Sequence, residues 1–260
     1  MTEKNTSKLG SESKSFLEKY VKIIVVLAVI AGSSSGIFGR AIEAPSMAIG
    51  FWRLTLGLPF FAIPVLIKER KELVSVSKKN HISTFLAGAF LFGHFFCWFN
   101  AVKLTNIGSA VVLALLGGTM VAGFDYRELS QGNFIGDILA FLAAIFMGLY
   151  FAIGNEVRKE VSGKVYVFLV FLACWICFTI GVIATKTPVL GYSLKDYVLI
   201  LGLTLVCQIG AHAVFNLCFG YVDSLYVSAW ESGESVFAII LSIIFLGQFP
   251  TQWEIMGCAV

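Results

Sequence analysis

A polar, lysine-bearing stretch over residues 1–19 gives way at Val21 to an apolar run that reaches Phe38. That run suits a spanning helix and exceeds a signal-peptide core, and no small-residue cleavage site is evident, so it reads as an uncleaved first span. Runs of comparable length recur near 47–67, 84–102, 136–155, 165–185, 197–219 and 225–247. Since a crossing takes about 20 apolar residues, the pattern predicts about seven full spans. Two segments fit less cleanly: Gly108 to Phe124 is short and carries Gly117-Gly118 in its middle, and Gln252 to Val260 begins like a helix and runs for about two turns. Continuous apolar runs without period-two alternation exclude a β-barrel. Only helices then satisfy the backbone in lipid, and the expected fold is an all-α polytopic membrane protein.

Composition strengthens this reading. Of the 260 residues 58% are hydrophobic and 13% charged, against roughly half and a quarter in soluble domains. Mean hydropathy is +0.85. A net charge of +3 is small beside that apolar excess, so the expected partner is the lipid bilayer and no nucleic acid. Cys97, Cys174, Cys177, Cys207, Cys218 and Cys258 all lie in apolar runs, where free cysteine packs as a small hydrophobe. Cys174 and Cys177 do spell CxxC, but within a span and away from any strand-to-helix turn.

Comparison of the chain with itself reveals a repeat. Leu27, Ala28, Ile30 and Gly39 match Leu142, Ala143, Ile145 and Gly154 at a shift of about 115, and Gly93, Trp98 and Ala101 match Gly210, Phe215 and Cys218 at about 117. The organisation is a polar cytoplasmic tail at 1–19, a first repeat at 20–131 and a second at 132–260, the first one helix shorter. Lysine and arginine favour cytoplasmic loops. The tail, the loop bearing Lys68, Arg70, Lys71, Lys78 and Lys79, and the loop bearing Arg158, Lys159 and Lys164 all belong inside. All three can do so only if residues 106–131 cross an even number of times.

The stretch from Gly93 through His94, Trp98, Asn100 and Thr105 to Ala110 resembles the third-to-fourth-helix signature of EamA-type transporters in the drug/metabolite transporter superfamily. Gly136 to Ala144 resembles that family's sixth-helix opening, and Phe245 to Pro250 the phrase closing its ninth helix. The resemblance covers roughly residues 20–260. It implies about ten helices as two inverted repeats of five, a substrate cavity between the repeats and cytoplasmic termini. The chain departs from the pattern between Ala114 and Leu115, where material of the fourth and fifth helices is absent, and at Val260, where the tenth helix stops. Gln248 stands where the family usually carries an acidic residue, and the mid-helix proline is absent around Glu234.

Ionisable groups inside a span normally face the bundle interior or a cavity. Glu231 and Glu234, three apart on one helix, are therefore candidates for proton or cation coupling; an interfacial pair reaching water is the alternative. His212 and Asn216 share a helical face, as do His94 and Trp98 in the matching helix, and the two pairs are candidates for opposite walls of one cavity. A lone histidine can equally serve as a hydrogen-bonded packing residue. Tyr150 and Trp230 could stack on an organic substrate or simply meet lipid and neighbouring helices. Arg53 lies a turn or two inside the second span, where it either snorkels to the interface or binds an anionic substrate. Gly32 to Gly36 can be written GxSxG around Ser34, but the hydrolase motif needs a strand-to-helix elbow, and this segment is helical. No phosphate loop, metal-spaced cluster or cofactor motif is evident, so no catalytic residue, metal or cofactor is expected.

The expected function is a multi-pass plasma-membrane secondary transporter with a cytoplasmic N-terminus. It would move a small organic metabolite or drug-like solute by alternating access, with proton coupling through Glu231 or Glu234. The competing expectation is a non-transporting, truncated or partner-binding membrane protein, whose small-residue faces such as Ala31 to Gly36 would be covered by another chain or a homodimer.

Overall fold

Each apolar run folds as a helix, and the helices extend beyond the runs because polar flanking turns keep helical geometry and supply the caps. The structure, a computed structural model, describes residues 19–107, 110, 131–214, 218, 226, 230, 233–251 and 255. The long helices are α1 (Lys19–Ala41), α2 (Ser46–Lys68), α4 (Lys78–Leu104), α5 (Gln131–Val157) and α6 (Gly163–Thr185). A short α3 (Arg70–Ser75) lies between α2 and α4. Helix α7 (Leu194–Leu203) continues without a break into a π-helical segment, Thr204–Ala213. Helix α8 (Glu234–Leu246) is the last continuous helix among the described residues.

Among the described residues six helices are long and apolar enough to cross a membrane, the sixth being α7 with its π-helical continuation. Of the span expected over 225–247, the 13-residue α8 is the continuous described part. Apart from Ala110, the short segment from Gly108 to Phe124 lies outside the described residues. No strand occurs among the described residues. The span expected from residue 84 starts at Lys78 because the Ser77 side chain accepts from the Asn80 backbone N–H at 3.2 Å. Ser193 caps α7 in the same way, accepting from Asp196 N at 3.1 Å.

Polar contacts gather the helix ends into two layers and so fix the direction of each helix. At one end Lys164 Nζ lies 3.3 Å from Glu69 Oε1, Ser162 N donates to Glu72 Oε1 at 2.6 Å, and Asn80 Nδ2 donates to Glu160 Oε2 at 2.8 Å. This end collects the close of α2, the start of α4, the close of α5 and the start of α6. It also carries Lys68, Arg70, Lys71, Lys78, Lys79, Arg158 and Lys159. At the opposite end Glu43 N donates to Asp196 Oδ1 at 2.8 Å, Lys103 Nζ donates to the Ala44 carbonyl at 2.6 Å, and Thr105 Oγ1 donates to Asp137 Oδ1 at 2.8 Å. Here α1 and α4 end while α2, α5 and α7 begin.

It follows that α1, α2 and α4 run opposite to α5, α6 and α7, their counterparts at the repeat shift. The two halves are inverted with respect to each other. Because α4 closes and α5 opens at the same end, the arrangement is the one that an even number of crossings between them requires.

The halves interlock, with α4 packed along α5 and α6, and α2 packed along α6 and the π-helical segment. Small residues set the closeness. A Cβ at Gly88 of α4 would stand 2.5 Å from Ala173 Cβ and 2.8 Å from the Val170 carbonyl oxygen of α6. No flexible side-chain tip is there to yield. Gly88→Val should therefore force α4 and α6 apart and destabilise the protein by about 1–3 kcal/mol. Gly148→Ala, where no neighbouring helix among the described residues comes within 4 Å of the new methyl, should not destabilise the protein and should raise its stability slightly through helix propensity. Thermal unfolding of the two purified variants in lipid nanodiscs checks this.

Candidate functional site

Three helices lose regular geometry where the halves meet. In α1 the helix is interrupted by a turn at Ser34, whose N–H reaches back to the Ala31 carbonyl at 3.3 Å. Neighbouring serines provide for the disturbed backbone, Ser33 Oγ donating to Val29 O at 2.8 Å and Ser34 Oγ to Ala31 O at 2.7 Å. Facing it is the π-helical segment of α7, ten residues long where most π-helical stretches are single-turn bulges. Cys207 Sγ from that segment lies 3.3 Å from both Ser34 Oγ and the Ala31 carbonyl.

The third interruption precedes α8, where Gly233 N donates to the Trp230 carbonyl at 3.0 Å and Glu234 opens the helix. Ser33 Oγ lies 3.1 Å from the Glu234 carbonyl oxygen. A Cβ at Gly32 would stand 3.5 Å from both Ala211 Cβ and Glu234 Oε1. In hydrocarbon, irregular backbone is tolerated only against protein or a water-lined cavity. The three interruptions are accordingly placed against one another.

Beside them lies Arg53. It sits seven residues into α2, about 10 Å below the helix start, and is 1% exposed. The guanidinium turns inward rather than snorkelling to the interface. Its Nε donates to Gln208 Oε1 at 3.1 Å, and its central carbon lies 4.2 Å from the Phe95 ring centroid and 5.9 Å from that of Phe99. These contacts join α2 to α4 and to the π-helical segment, and the inward pull of an acceptor and two ring faces explains the orientation. Gly57, one turn further along α2, makes room: a Cβ there would meet Gln208 Nε2 at 2.3 Å.

No carboxylate lies within 4 Å of Arg53 among the described residues, whose ion pairs are Lys159–Glu156, Lys164–Glu69 and Lys195–Glu43. Three buried donors lack an acceptor among the described residues, Arg53 Nη2, Gln208 Nε2 and Trp98 Nε1.

The two histidines border this cluster. His94 Nδ1 is 2.9 Å from the Ala143 carbonyl; a carbonyl only accepts, so Nδ1 carries the hydrogen and donates. The His212 ring meets Phe95 edge-on at 5.8 Å, and both imidazoles are within electrostatic reach of Arg53. Trp98 is buried with its ring toward Gly36 of α1.

The other aromatic candidates are engaged elsewhere, Tyr150 stacked on Tyr166 at 6.5 Å and Trp230 tilted against Tyr226 at 6.4 Å. Asn216 and Glu231 lie outside the described residues. Ser34 is hydrogen-bonded to Cys207 and Ala31, with no imidazole among these partners. Cys174 and Cys177 are free thiols. Gln248, with its amide oxygen turned toward Arg40, accepts from both guanidinium Nη atoms at 3.1 and 3.2 Å. Arg40 also caps the end of α4 through the Thr105 carbonyl at 2.8 Å. The amide thus fills an acceptor position that an acidic side chain could occupy.

Gln208, Phe95 and Phe99 were not singled out from the sequence. One signal pointed to Gln208: an amide inside an apolar run, four residues before His212 and so on the same face. Phe95 and Phe99 carry none, being two of 24 phenylalanines.

The family model described as the EamA-like transporter family matches residues 20–126 and again 134–260. A chain in a solved crystal structure, titled only as that of a protein, is similar over 93% of this chain and 94% of its own, with a TM-score of 0.61 and 15% identity. That likeness concerns the fold alone. No curated protein matches the chain in sequence.

Gln208→Leu removes the acceptor from a buried guanidinium and should destabilise the protein by about 1–3 kcal/mol. Arg53→Met, which exchanges an uncompensated charge for an apolar chain of similar length, should keep or raise the melting temperature. Unfolding curves of both variants beside the parent protein give the comparison, and a large loss in Arg53→Met would show the charge to be structurally compensated.

Proposed function

The chain belongs to the EamA-like transporter family, and from that premise we propose that it is a secondary carrier for a small organic solute, working by alternating access between its inverted halves. The observation that supports this most strongly is the meeting of three interrupted helices beside the buried Arg53–Gln208 pair. Binding at discontinuous helices between inverted repeats is the general design of such carriers, because free backbone groups and half-helix ends supply polarity inside the bilayer. His94 and His212 border the site from the two halves, and Trp98 closes it toward α1.

Nothing in this arrangement requires bond-making chemistry, and we assign no enzymatic activity. The test is flux. Proteoliposomes containing the purified chain should take up at least one low-molecular-weight organic solute from a mixed metabolite pool, read by mass spectrometry against protein-free liposomes. A folded sample that moves none would favour the alternative, a non-transporting protein that binds a partner.

Glu234 is proposed as the proton-coupling group, with Glu231 as its companion three residues earlier. Its carboxylate lies against Gly32, next to the break in α1, where protonation and helix movement can be linked. Exchange of solute at equal pH on both sides should survive Glu234→Gln, whereas the stimulation by an imposed pH gradient should disappear. Gradient-driven uptake unchanged in a Glu231→Gln, Glu234→Gln double variant would remove the carboxylates from the mechanism.

We place the chain in the plasma membrane with its N-terminus cytoplasmic. The support is the concentration of lysine and arginine at the end that gathers residues 68–79 and 158–164, against Arg40, Lys103, Lys186 and Lys195 at the other. In a background lacking native cysteines, Lys186→Cys should react with an impermeant maleimide on intact cells and Lys159→Cys only after permeabilisation. The reverse pattern would invert the orientation.

A further inference from the structure

We infer that the solute taken by this site is an organic monocarboxylate, recognised by the open Nη2 of the Arg53 guanidinium together with the Gln208 amide nitrogen. The inference rests on the carrier reading only for movement across the membrane; the binding site stands on its own geometry.

A permanent cation in the hydrocarbon region is costly and is normally matched by a carboxylate or by carbonyl groups. Arg53 is matched, among the described residues, by one neutral amide oxygen and by ring faces. These groups compensate the charge only in part, and a ligand carrying one negative charge would complete the compensation. The donor set indicates which anion. Nε and Nη2 form one edge of a guanidinium; Gln208 Oε1 occupies Nε and leaves Nη2 open. Gln208 Nε2, on the same hydrogen-bonded unit, is likewise without an acceptor. Two neighbouring donors of this kind suit the two oxygens of a carboxylate.

A phosphate dianion would bring one negative charge more than Arg53 neutralises, and no lysine or second arginine is among the contacts described for the cluster. The remainder of the ligand meets Phe95, Phe99 and Trp98, whose surfaces favour an apolar organic group over a small inorganic ion. The Trp98 Nε1 donor is available to one polar atom of that group. His94 and His212 lie within electrostatic reach of Arg53 at the border of the cluster.

The test uses the full chain in lipid nanodiscs and two isosteric probe pairs, benzoate with benzamide and acetate with acetamide. Equilibrium binding of radiolabelled probe and thermal shift are measured together. Benzoate should bind saturably and stabilise the protein. Benzamide should bind about 10- to 100-fold more weakly, the value of a charge-assisted hydrogen-bond pair. Acetate should exceed acetamide in the same sense. In Arg53→Met, benzoate affinity should fall to that of benzamide while the unliganded melting temperature is kept. Arg53→Lys, which preserves the charge without the planar guanidinium that holds Nη2 beside Gln208, should retain a preference for benzoate at reduced affinity.

Equal binding of the acid and amide in each pair, saturable binding of neither carboxylate, or benzoate binding retained in Arg53→Met would each overturn the inference. Loss of the fold in Arg53→Met leaves the two acid–amide comparisons on the parent protein decisive. The failures separate cleanly. Flux of neutral solutes without carboxylate selectivity removes this inference and keeps the carrier, whereas carboxylate binding without flux keeps the site and removes the carrier.

Discussion

A peptide group in hydrocarbon has no water to turn to, and the structure depends on that constraint throughout. It forces the chain into helices along the apolar runs, and it also decides where a helix is allowed to stop being regular. The turn at Ser34, the π-helical Thr204–Ala213 and the opening of α8 at Glu234 each disturb the backbone hydrogen-bond ladder inside the span region. Each lies against one of the others: Cys207 Sγ against Ser34 Oγ and the Ala31 carbonyl, and the Glu234 carbonyl against Ser33 Oγ. Interrupted helices are costly singly and tolerable as a group, and grouping them concentrates polar atoms in one place between the halves.

That concentration gives Arg53 its setting. A guanidinium about 10 Å into a span could have extended its stem back toward the interface. Instead the amide of Gln208 and the faces of Phe95 and Phe99 draw it across to α7 and α4. The room for this is created by Gly57, which lets the Gln208 amide approach the α2 backbone. The result leaves Arg53 Nη2 and Gln208 Nε2 buried without an acceptor among the described residues. Such a deficit is common where binding is the purpose, because the energy that completes it is then supplied by the ligand.

The inverted arrangement puts this site between two bodies of similar build. Contacts at the helix ends orient α1, α2 and α4 against α5, α6 and α7, while close packing of small residues, as at Gly88 on Ala173, locks neighbours from different halves together. A bundle held by packing and by hydrogen bonds at its two ends has discrete arrangements rather than a continuum of them. Movement of one half against the other would act first on Arg53, which bridges α2 and α7, and on Glu234 at the break in α1.

Much of the architecture was legible in the residues themselves. Hydropathy located the six long spans, the shift of about 115 exposed the repeat, and the lysine and arginine counts required α4 and α5 to meet at one end, as Thr105 and Asp137 do. These features depend on transfer free energy and local spacing, both carried by the sequence. His94, His212 and Arg53 were also identifiable, since a polar group in an apolar run must find a partner. Which partner it finds is another matter. The direction of the Arg53 side chain, the choice of Gln208 as its acceptor, the selection of Phe95 and Phe99 from 24 phenylalanines, and the diversion of Tyr150 to Tyr166 all arise from contacts between residues far apart in the chain. Sequence determined that this protein is a repeated helical bundle in a membrane, because burial in lipid is read one residue at a time. Only the tertiary structure decided where its uncompensated charge would lie, because compensation is a property of pairs that folding brings together.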